Sequence, residues 1–168
     1  MSRVIQAWGG SPIEKHGGRF KLRMFMHTIL LAEDSEDDVF FVTRAFSEIN
    51  VPCTLQVSAD GRHAIDYLKG TNQFGDRRLF PLPEFMLLDI NLPQVNGLEV
   101  LEWIRRDSPL EDLPVAMFTN YNEATYMNRA YDLGADAYFV KPANSQQFNG
   151  LLKNITQTWF KCGMFPMT

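Results

Sequence analysis

The 168-residue sequence predicts a single α/β domain: a doubly wound, open sheet of five parallel strands with helices on both faces. Short apolar runs alternate five times with amphipathic stretches, which is typical of repeated strand–helix units. Most of these runs are continuously apolar, as expected for parallel strands that are buried on both faces. The composition, 45% hydrophobic and 21% charged residues, suits a folded core. No apolar run approaches the roughly 18–20 residues of a membrane helix.

The first two strand–helix units are predicted over residues 28–70. Residues 28–32 are an apolar run that ends at two acids, and residues 38–48 place apolar side chains at helical spacing, with Ser35 as a candidate cap. Residues 53–59 alternate between apolar and polar, which predicts the second strand. Apolar residues from Ala64 to Leu68 predict a helix that ends at Gly70.

Three further units follow a polar loop over residues 71–83, which glycine and proline interrupt. Gly134 is expected to close the fourth helix, because glycine adopts the left-handed cap conformation at low cost. Apolar side chains in the fifth helix form one stripe. The remaining predicted strands cover residues 85–88, 115–118 and 137–140, and the remaining helices cover residues 97–106, 123–133 and 145–160.

The charge is unevenly distributed along the chain. Residues 1–26 carry five bases and one acid, whereas residues 27–168 carry 11 bases and 19 acids. We expect a flexible N-terminal leader over residues 1–25, a folded domain over 26–160 and a tail over 161–168. Met24 and Met26 precede the first strand, so the leader is hypothesised to come from an over-extended start site. It lacks the apolar stretch of a signal peptide.

Two cysteines, Cys53 and Cys162, are too few and too far apart for a disulfide framework or a zinc site. Together with the missing signal peptide, they predict a reduced, cytoplasmic protein. The net charge of −4 argues against a broad nucleic-acid-binding surface.

Polar residues that suit phosphoryl chemistry follow four of the predicted strands. Glu33 and Asp34 follow the first, Asp89 the third, Thr119 the fourth and Lys141 the fifth, and ligands of such sheets bind beyond these strand ends. Two carboxylates ~4 Å apart repel by about 4 kcal/mol at an effective dielectric constant of 20, so three of them need a cation. Oxygen ligands suit Mg²⁺, which takes phosphate as a co-ligand. Taken singly, each of these residues is more simply explained as a helix cap, a turn residue or a surface side chain. Taken together, they indicate a site for a phosphoryl group, in which Asp89 is a candidate nucleophile that would form an aspartyl phosphate.

In these motifs the sequence resembles the response-regulator receiver domain over about residues 26–160. The resemblance implies a flavodoxin-like fold with strand order 2-1-3-4-5. The motifs are Leu30-Leu31-Ala32-Glu33-Asp34, Leu87-Leu88-Asp89-Ile90-Asn91-Leu92-Pro93, Phe118-Thr119 and Tyr138-Phe139-Val140-Lys141-Pro142.

The resemblance also implies a role for each site residue. Asp89 would accept a phosphoryl group from a histidine kinase. Thr119 and Lys141 would bind the phosphate, and Thr119 and Tyr138 would be the paired switch residues. The family pattern adds a cis peptide bond before Pro142. The implied Mg²⁺ ligands are Glu33, Asp34, Asp89 and the backbone carbonyl of Asn91.

The sequence is more closely similar to small regulators associated with bacteriophytochromes, so a phytochrome-type photoreceptor kinase is one candidate partner. Three residues depart from the family pattern: Asn96 stands where Asp is usual, Asn120 follows Thr119 where a small residue is preferred, and Tyr121 comes next, at a position that in the family tunes how water reaches the phosphoryl group. We expect crowding by Asn120 and Tyr121 to lengthen the lifetime of the phosphorylated form.

The fifth predicted helix is not followed by a helix-turn-helix segment, so neither nucleic acid nor membrane is expected as a partner. Output is expected through protein contacts at the face formed by helix four, strand five and helix five; the alternative is that the chain is a phosphate relay. Residues 144–160 contain no acid, which disfavours a dimer joined by charged pairs. Trp159, Phe160, Met164 and Phe165 suggest an apolar homodimer contact; the alternative is that Trp159 packs on its own domain.

Parts of this pattern also occur in two other classes of protein. A phosphohydrolase with an aspartate nucleophile usually carries a second Asp two residues later, where this chain has Asn91, which cannot transfer protons. We therefore do not expect an enzyme. A phosphorylation-independent binding module with a decayed site is the second alternative, and the intact set of strand-end residues argues against it.

Overall fold

The structure is a computed structural model that describes residues 3–6, 27–49, 53–142 and 144–161. It contains a six-stranded sheet in the order β1-β3-β2-β4-β5-β6. The strands are β1 (Arg3–Gln6), β2 (His27–Ala32), β3 (Cys53–Ser58), β4 (Phe85–Leu88), β5 (Val115–Thr119) and β6 (Ala137–Val140). The helices are α1 (Glu36–Ile49), α2 (Gly61–Lys69), α3 (Gly97–Asp107), α4 (Ala124–Asp132) and α5 (Ser145–Lys161), with a 3₁₀ turn at Asn72–Phe74.

Strands β2 to β6 are the five predicted parallel strands. They pair in parallel throughout, in the order β3-β2-β4-β5-β6, which confirms the predicted order 2-1-3-4-5. The apolar runs of β2, β4 and β5 are almost completely buried. The expectation that both faces of the sheet are covered therefore holds for the central strands.

The sixth strand corrects the expectation for the N-terminus. Arg3–Gln6 was expected to belong to a flexible leader, but it forms β1 and pairs antiparallel with β3, with Arg3 opposite Val57 and Gln6 opposite Thr54. The physical reason is that β3 has an unused edge, whose backbone N–H and C=O groups accept a further strand. The rest of the expected leader, residues 1–2 and 7–25, lies outside the described residues, as does the tail over 162–168.

Two apolar cores lie on opposite faces of the sheet. One contains α2, α3 and Ala130 of α4, and the other contains α1 and α5. In the second core the ring of Phe148 lies 5.7 Å from Phe41 and 5.3 Å from Phe118, so α5 is packed onto both α1 and the sheet.

Trp159 packs on its own domain. It is 9% exposed, and its ring lies 5.0 Å from that of Phe85. Of the two alternatives for Trp159, packing is therefore correct, and Trp159 does not contribute an exposed surface to a homodimer. The other members of the expected contact lie outside what the structure describes: Met164 and Phe165 entirely, and Phe160 in its side chain.

Two predicted helix boundaries are confirmed. Ser35 caps α1, since the Asp38 N–H donates to Ser35 Oγ at 3.3 Å. Gly134 follows Leu133, the C-cap residue of α4, and has a φ of +91°, the left-handed conformation that favours glycine. Within the described residues, no helix combines the length and the apolar character needed to cross a membrane.

Candidate functional site

The carboxyl ends of β2, β4, β5 and β6 lie side by side, and backbone hydrogen bonds hold the residues that follow them. The Asp89 N–H donates to the carbonyl of Ala32 at 3.0 Å, and the Lys141 N–H donates to the carbonyl of Thr119 at 2.7 Å. The Glu33 N–H donates to the carbonyl of Ser58, the last residue of β3, at 2.9 Å. The sheet's hydrogen bonding thus continues past the strand ends, which gives the site residues a rigid backbone.

Three carboxylates meet at this edge, as the sequence predicts. Glu33, Asp34 and Asp89 each offer an oxygen atom, and these atoms all lie within 4.8 Å of one another. Glu33 and Asp89 are buried, whereas Asp34 is exposed, so the cluster is open to solvent on one side. An oxygen-only donor set with an open side fits a hard divalent cation that retains water ligands.

Asn91 is tied to this cluster through its backbone. Its N–H donates to Asp89 Oδ1 at 3.2 Å, so the Asn91 peptide lies directly beside the central carboxylate. The loop that carries it is held by two close backbone approaches. A Cβ atom on Gly97 would lie 1.9 Å from the carbonyl oxygen of Asp89, and one on Gly61 would lie 1.9 Å from that of Val95. Only glycine fits at either position.

Asn96, which departs from the family pattern, begins α3. Its side chain accepts from the Glu99 N–H at 3.1 Å, and the Glu99 carboxylate accepts from the Asn96 N–H at 3.0 Å. This reciprocal pair is a capping box. Asparagine therefore performs the capping role at this position.

Lys141 Nζ is surrounded by carboxylates. It lies 2.6 Å from Glu33 Oε2, 2.7 Å from Asp89 Oδ2 and 3.0 Å from Asp38 Oδ2. Lys141 lies at this site as the sequence predicts, whereas Asp38 was not among the predicted site residues. The available signal was an acid close behind Glu33 and Asp34, at the start of the helix that follows them.

The electrostatics of the buried pair follow from its partners. Burial raises the pKa of Glu33 from its usual 4.5 to about 7, although the Lys141 ammonium acts in the opposite direction. Burial by itself would lower the pKa of Lys141, but the carboxylates of Glu33 and Asp89 outweigh it, so this pKa is raised. Lys141 is therefore charged at neutral pH, and the acids around it carry more negative charge than it can balance.

Thr119 and Tyr138 lie on neighbouring strands behind this cluster. Thr119 is fully buried, and among the described residues its Oγ1 has no hydrogen-bond partner. A buried hydroxyl without a partner is costly, so it marks a position where a ligand oxygen fits. Tyr138 is 9% exposed and donates its hydroxyl to the carbonyl of Tyr121 at 2.9 Å. Burial, and then the nearby carboxylates, raise the pKa of Tyr138.

The segment after Thr119 is formed by the two residues that depart from the family pattern. Asn120 is exposed, and the ring of Tyr121 stacks on that of Tyr126 with 4.3 Å between ring centroids. One expectation from the resemblance is wrong: the Lys141–Pro142 peptide bond is trans. Lys141 nevertheless points into the site, because three carboxylates attract its ammonium group.

The chain is similar in sequence to known response regulators over most of its length. Residues 29–153 match the family model of the response regulator receiver domain. The probable methanogenesis regulatory protein FilR2 of Methanothrix harundinacea is 32% identical over 138 residues, which cover 82% of this chain and 86% of FilR2. Response regulator Rcp1 of Synechocystis sp. is 29% identical over 138 residues, which cover 82% of this chain and 92% of Rcp1.

Two solved structures extend the comparison. The phosphorylated cyanobacterial phytochrome response regulator RcpA superimposes with a TM-score of 0.78 at 29% identity, covering 84% of this chain and 99% of RcpA. The Mn²⁺-bound form of Rcp1 superimposes with a TM-score of 0.76 at 27% identity, covering 83% of this chain and 99% of that structure. The family match runs from within β2 to α5 and so includes the residues that follow the parallel strands.

Proposed function

This chain belongs to the response regulator receiver domain family, and we propose that it is a phosphoacceptor of a two-component phosphorelay in which Asp89 receives a phosphoryl group from a histidine kinase. One observation carries the proposal. Asp89 Oδ2 lies 2.7 Å from a buried lysine, in a cluster of three carboxylates, beside a buried hydroxyl that has no partner among the described residues. This arrangement has an acceptor, a cation site and two groups for phosphoryl oxygens.

The proposed reaction transfers the phosphoryl group between two side chains. A carboxylate oxygen of Asp89 attacks the phosphorus atom of a phosphohistidine in the kinase. The new O–P bond forms as the P–N bond breaks, and the imidazole leaves with the electron pair of that bond. Lys141 donates to a phosphoryl oxygen, and the Thr119 hydroxyl donates to another, which gives that hydroxyl the partner it lacks.

Mg²⁺ is the proposed cofactor, held by the carboxylates of Glu33, Asp34 and Asp89 and by the backbone carbonyl of Asn91. When bound, it supplies charge neutralisation for the phosphoryl oxygens. The excess negative charge of the carboxylate cluster supports this assignment, and so does the Mn²⁺-bound form of Rcp1, since Mn²⁺ also prefers oxygen ligands. The outward-facing Asp34 leaves room for the cation and its water ligands.

Output is proposed to occur through the face formed by α4, β6 and α5. Phosphorylation adds charge and acceptor oxygens at Asp89, and Thr119 turns toward them. This movement of Thr119 leaves space behind it, into which the Tyr138 side chain rotates. Tyr138 belongs to β6, at the centre of the output face. The inward position of Tyr138, hydrogen-bonded to the carbonyl of Tyr121, supports such a coupling.

The kinase is proposed to be of the phytochrome type, in the cytoplasm. The similarity to Rcp1 and to the phytochrome response regulator RcpA over more than four fifths of the chain supports this choice. On this proposal the receiver domain covers residues 26–160, and its activity is signalling rather than turnover of a small substrate. A homodimer through the end of α5 stays a proposal for the apolar residues other than Trp159.

The test is phosphorylation by a small phosphodonor with Mg²⁺, followed by intact mass. We expect the wild type to gain one phosphoryl group and Asp89→Ala to gain none, while Asp107→Ala, an exposed acid in α3, behaves as the wild type. Size-exclusion chromatography of the same samples tests the dimer. A folded wild type that gains no phosphoryl group would favour the phosphorylation-independent binding module.

A further inference from the structure

Lys141 has one carboxylate partner that does not belong to the metal cluster. Its Nζ contacts oxygens of Glu33, Asp89 and Asp38, and the cluster that could hold a cation contains only the first two of these, together with Asp34. Asp38 is thus an acid that contacts the phosphate-binding lysine and has no assigned role.

The three partners of Lys141 differ in what happens to them during the proposed reaction. Glu33 takes part in holding the cation, and Asp89 becomes an acyl phosphate, so both change their charge or their ligands. Asp38 does neither. Among the carboxylates that contact the ammonium group in the described residues, Asp38 is the one whose contact can persist from the free protein to the phosphorylated protein.

The position of Asp38 at the start of α1 holds its carboxylate beside the Lys141 ammonium group. It lies in the first turn of α1, where its N–H donates to the capping hydroxyl of Ser35, and where a negative charge is favoured by the helix dipole. Its side chain is 22% exposed, whereas that of Lys141 is 2% exposed. Asp38 thus closes the solvent side of a buried ammonium group.

We propose that Asp38 is a positioning residue for phosphoryl transfer, and that it acts by holding the Lys141 ammonium group beside Asp89 when the cation and the phosphoryl group take over the other two carboxylates. A lysine side chain is a flexible four-carbon stem with three rotatable donors, so one lasting contact restricts where its charge can go. The proposal rests on the phosphoacceptor function of Asp89.

The first test is the rate of Asp89 phosphorylation by a small phosphodonor at saturating Mg²⁺. We expect Asp38→Asn to slow it by about 10-fold to 100-fold, the usual cost of removing a group that orients a ligand-binding side chain. Asp38→Glu should recover most of the rate, because it restores the charge. The matched control is Asp37→Asn, an exposed acid in the same helical turn, which should keep the wild-type rate.

The second test needs neither metal nor phosphodonor. Thermal unfolding in a chelator is measured for the wild type, Asp38→Asn, Lys141→Met and the double variant. If Asp38 pairs with Lys141, Asp38→Asn lowers the midpoint in the wild type but raises it or leaves it unchanged in the Lys141→Met background, where the charge of Asp38 only repels its neighbours.

The outcomes separate the inference from the function on which it rests. A wild type that is not phosphorylated refutes the proposed function, and the unfolding cycle then still decides whether Asp38 holds Lys141. A phosphorylated wild type with an unaffected Asp38→Asn refutes the role of Asp38 alone. A defect that is present when the rate is also measured at sub-saturating Mg²⁺, but absent at saturating Mg²⁺, overturns it as well, since Asp38 would then act on the affinity for the cation.

Discussion

Glu33 is a buried acid whose charge destabilises the metal-free fold at neutral and alkaline pH, so Glu33→Gln should stabilise the protein in a chelator. Burial raises the pKa of Glu33 from 4.5 to about 7, even with Lys141 beside it. The folded protein therefore binds this proton more tightly than the unfolded chain does. The resulting stabilisation is complete below about pH 4.5 and is lost as the pH rises through about 7.

The size of this effect on the free energy of unfolding follows from the shift in the pKa of Glu33. A change in pKa from 4.5 to about 7 corresponds to about 3 kcal/mol, at about 1.4 kcal/mol per pKa unit. The 1% exposure of the Glu33 side chain leaves little solvent to screen this cost. For a protein of this size, 1 kcal/mol moves the unfolding midpoint by about 2–4 °C, so Glu33→Gln should raise it by roughly 6–12 °C at pH 8.

The assay is urea and thermal unfolding of the wild type and Glu33→Gln in a chelator at several pH values between 5 and 8. The difference in free energy of unfolding should grow with pH in favour of the variant. Glu111→Gln, at an exposed acid, is the control and should show no such growth. With Mg²⁺ present the advantage should shrink or reverse, because glutamine removes one charge from the proposed cation ligands.

One result would refute this reasoning. If Glu33→Gln is less stable than the wild type at pH 8 in a chelator, the attraction between Glu33 and Lys141 outweighs the cost of burial. A difference that does not change with pH would show that the carboxylate keeps one protonation state throughout this range. Either finding would also weaken the argument that the cluster needs a cation.

Three further predictions concern the surroundings of the site. Gly97→Ala should destabilise the fold by about 1–3 kcal/mol and slow phosphorylation, because its Cβ would meet the carbonyl of Asp89 at 1.9 Å; urea unfolding and intact mass measure both effects. The double variant Asn120→Ala, Tyr121→Ser should lose its phosphoryl group several-fold faster than the wild type, and an equal rate would mean that these side chains do not shield it. Arg105→Lys should cost about 1–3 kcal/mol in urea unfolding, since Arg105 joins α3 to the loop before β5 and to the segment between α4 and β6 through several hydrogen bonds; a loss no larger than in an exposed Arg106→Lys control would contradict this.

The sequence predicted the parallel sheet well because the evidence for it is local. Each apolar run is long enough to indicate a strand buried on both faces, and each helix shows its own spacing of apolar residues. The same is true of Glu33, Asp34, Asp89 and Lys141, which follow strands whose parallel order brings them together. The structure places them within hydrogen-bond or ion-pair distance, or in one cluster.

What the sequence could not predict depends on contacts between distant segments. Strand β1 is four residues long, and its partner β3 begins nearly 50 residues later, so no local pattern marks the pairing. Asp38 and Lys141 are 103 residues apart. The burial of Trp159 depends on the ring of Phe85 on β4. In each case the decisive energy comes from tertiary packing rather than from the segment itself.

Strand β1 covers an edge of β3 that would otherwise be the exposed edge of the sheet. Without Arg3–Gln6, a chain beginning at Met24 would leave unpaired the backbone N–H and C=O groups on the edge of β3 that faces away from β2, and such an edge pairs readily with a strand from another molecule. Association through this edge would not depend on Asp89. A change in molecular size could therefore have two causes, phosphorylation or pairing between the β3 edges of two molecules. The presence or absence of β1 in the protein used determines whether the second cause has to be considered.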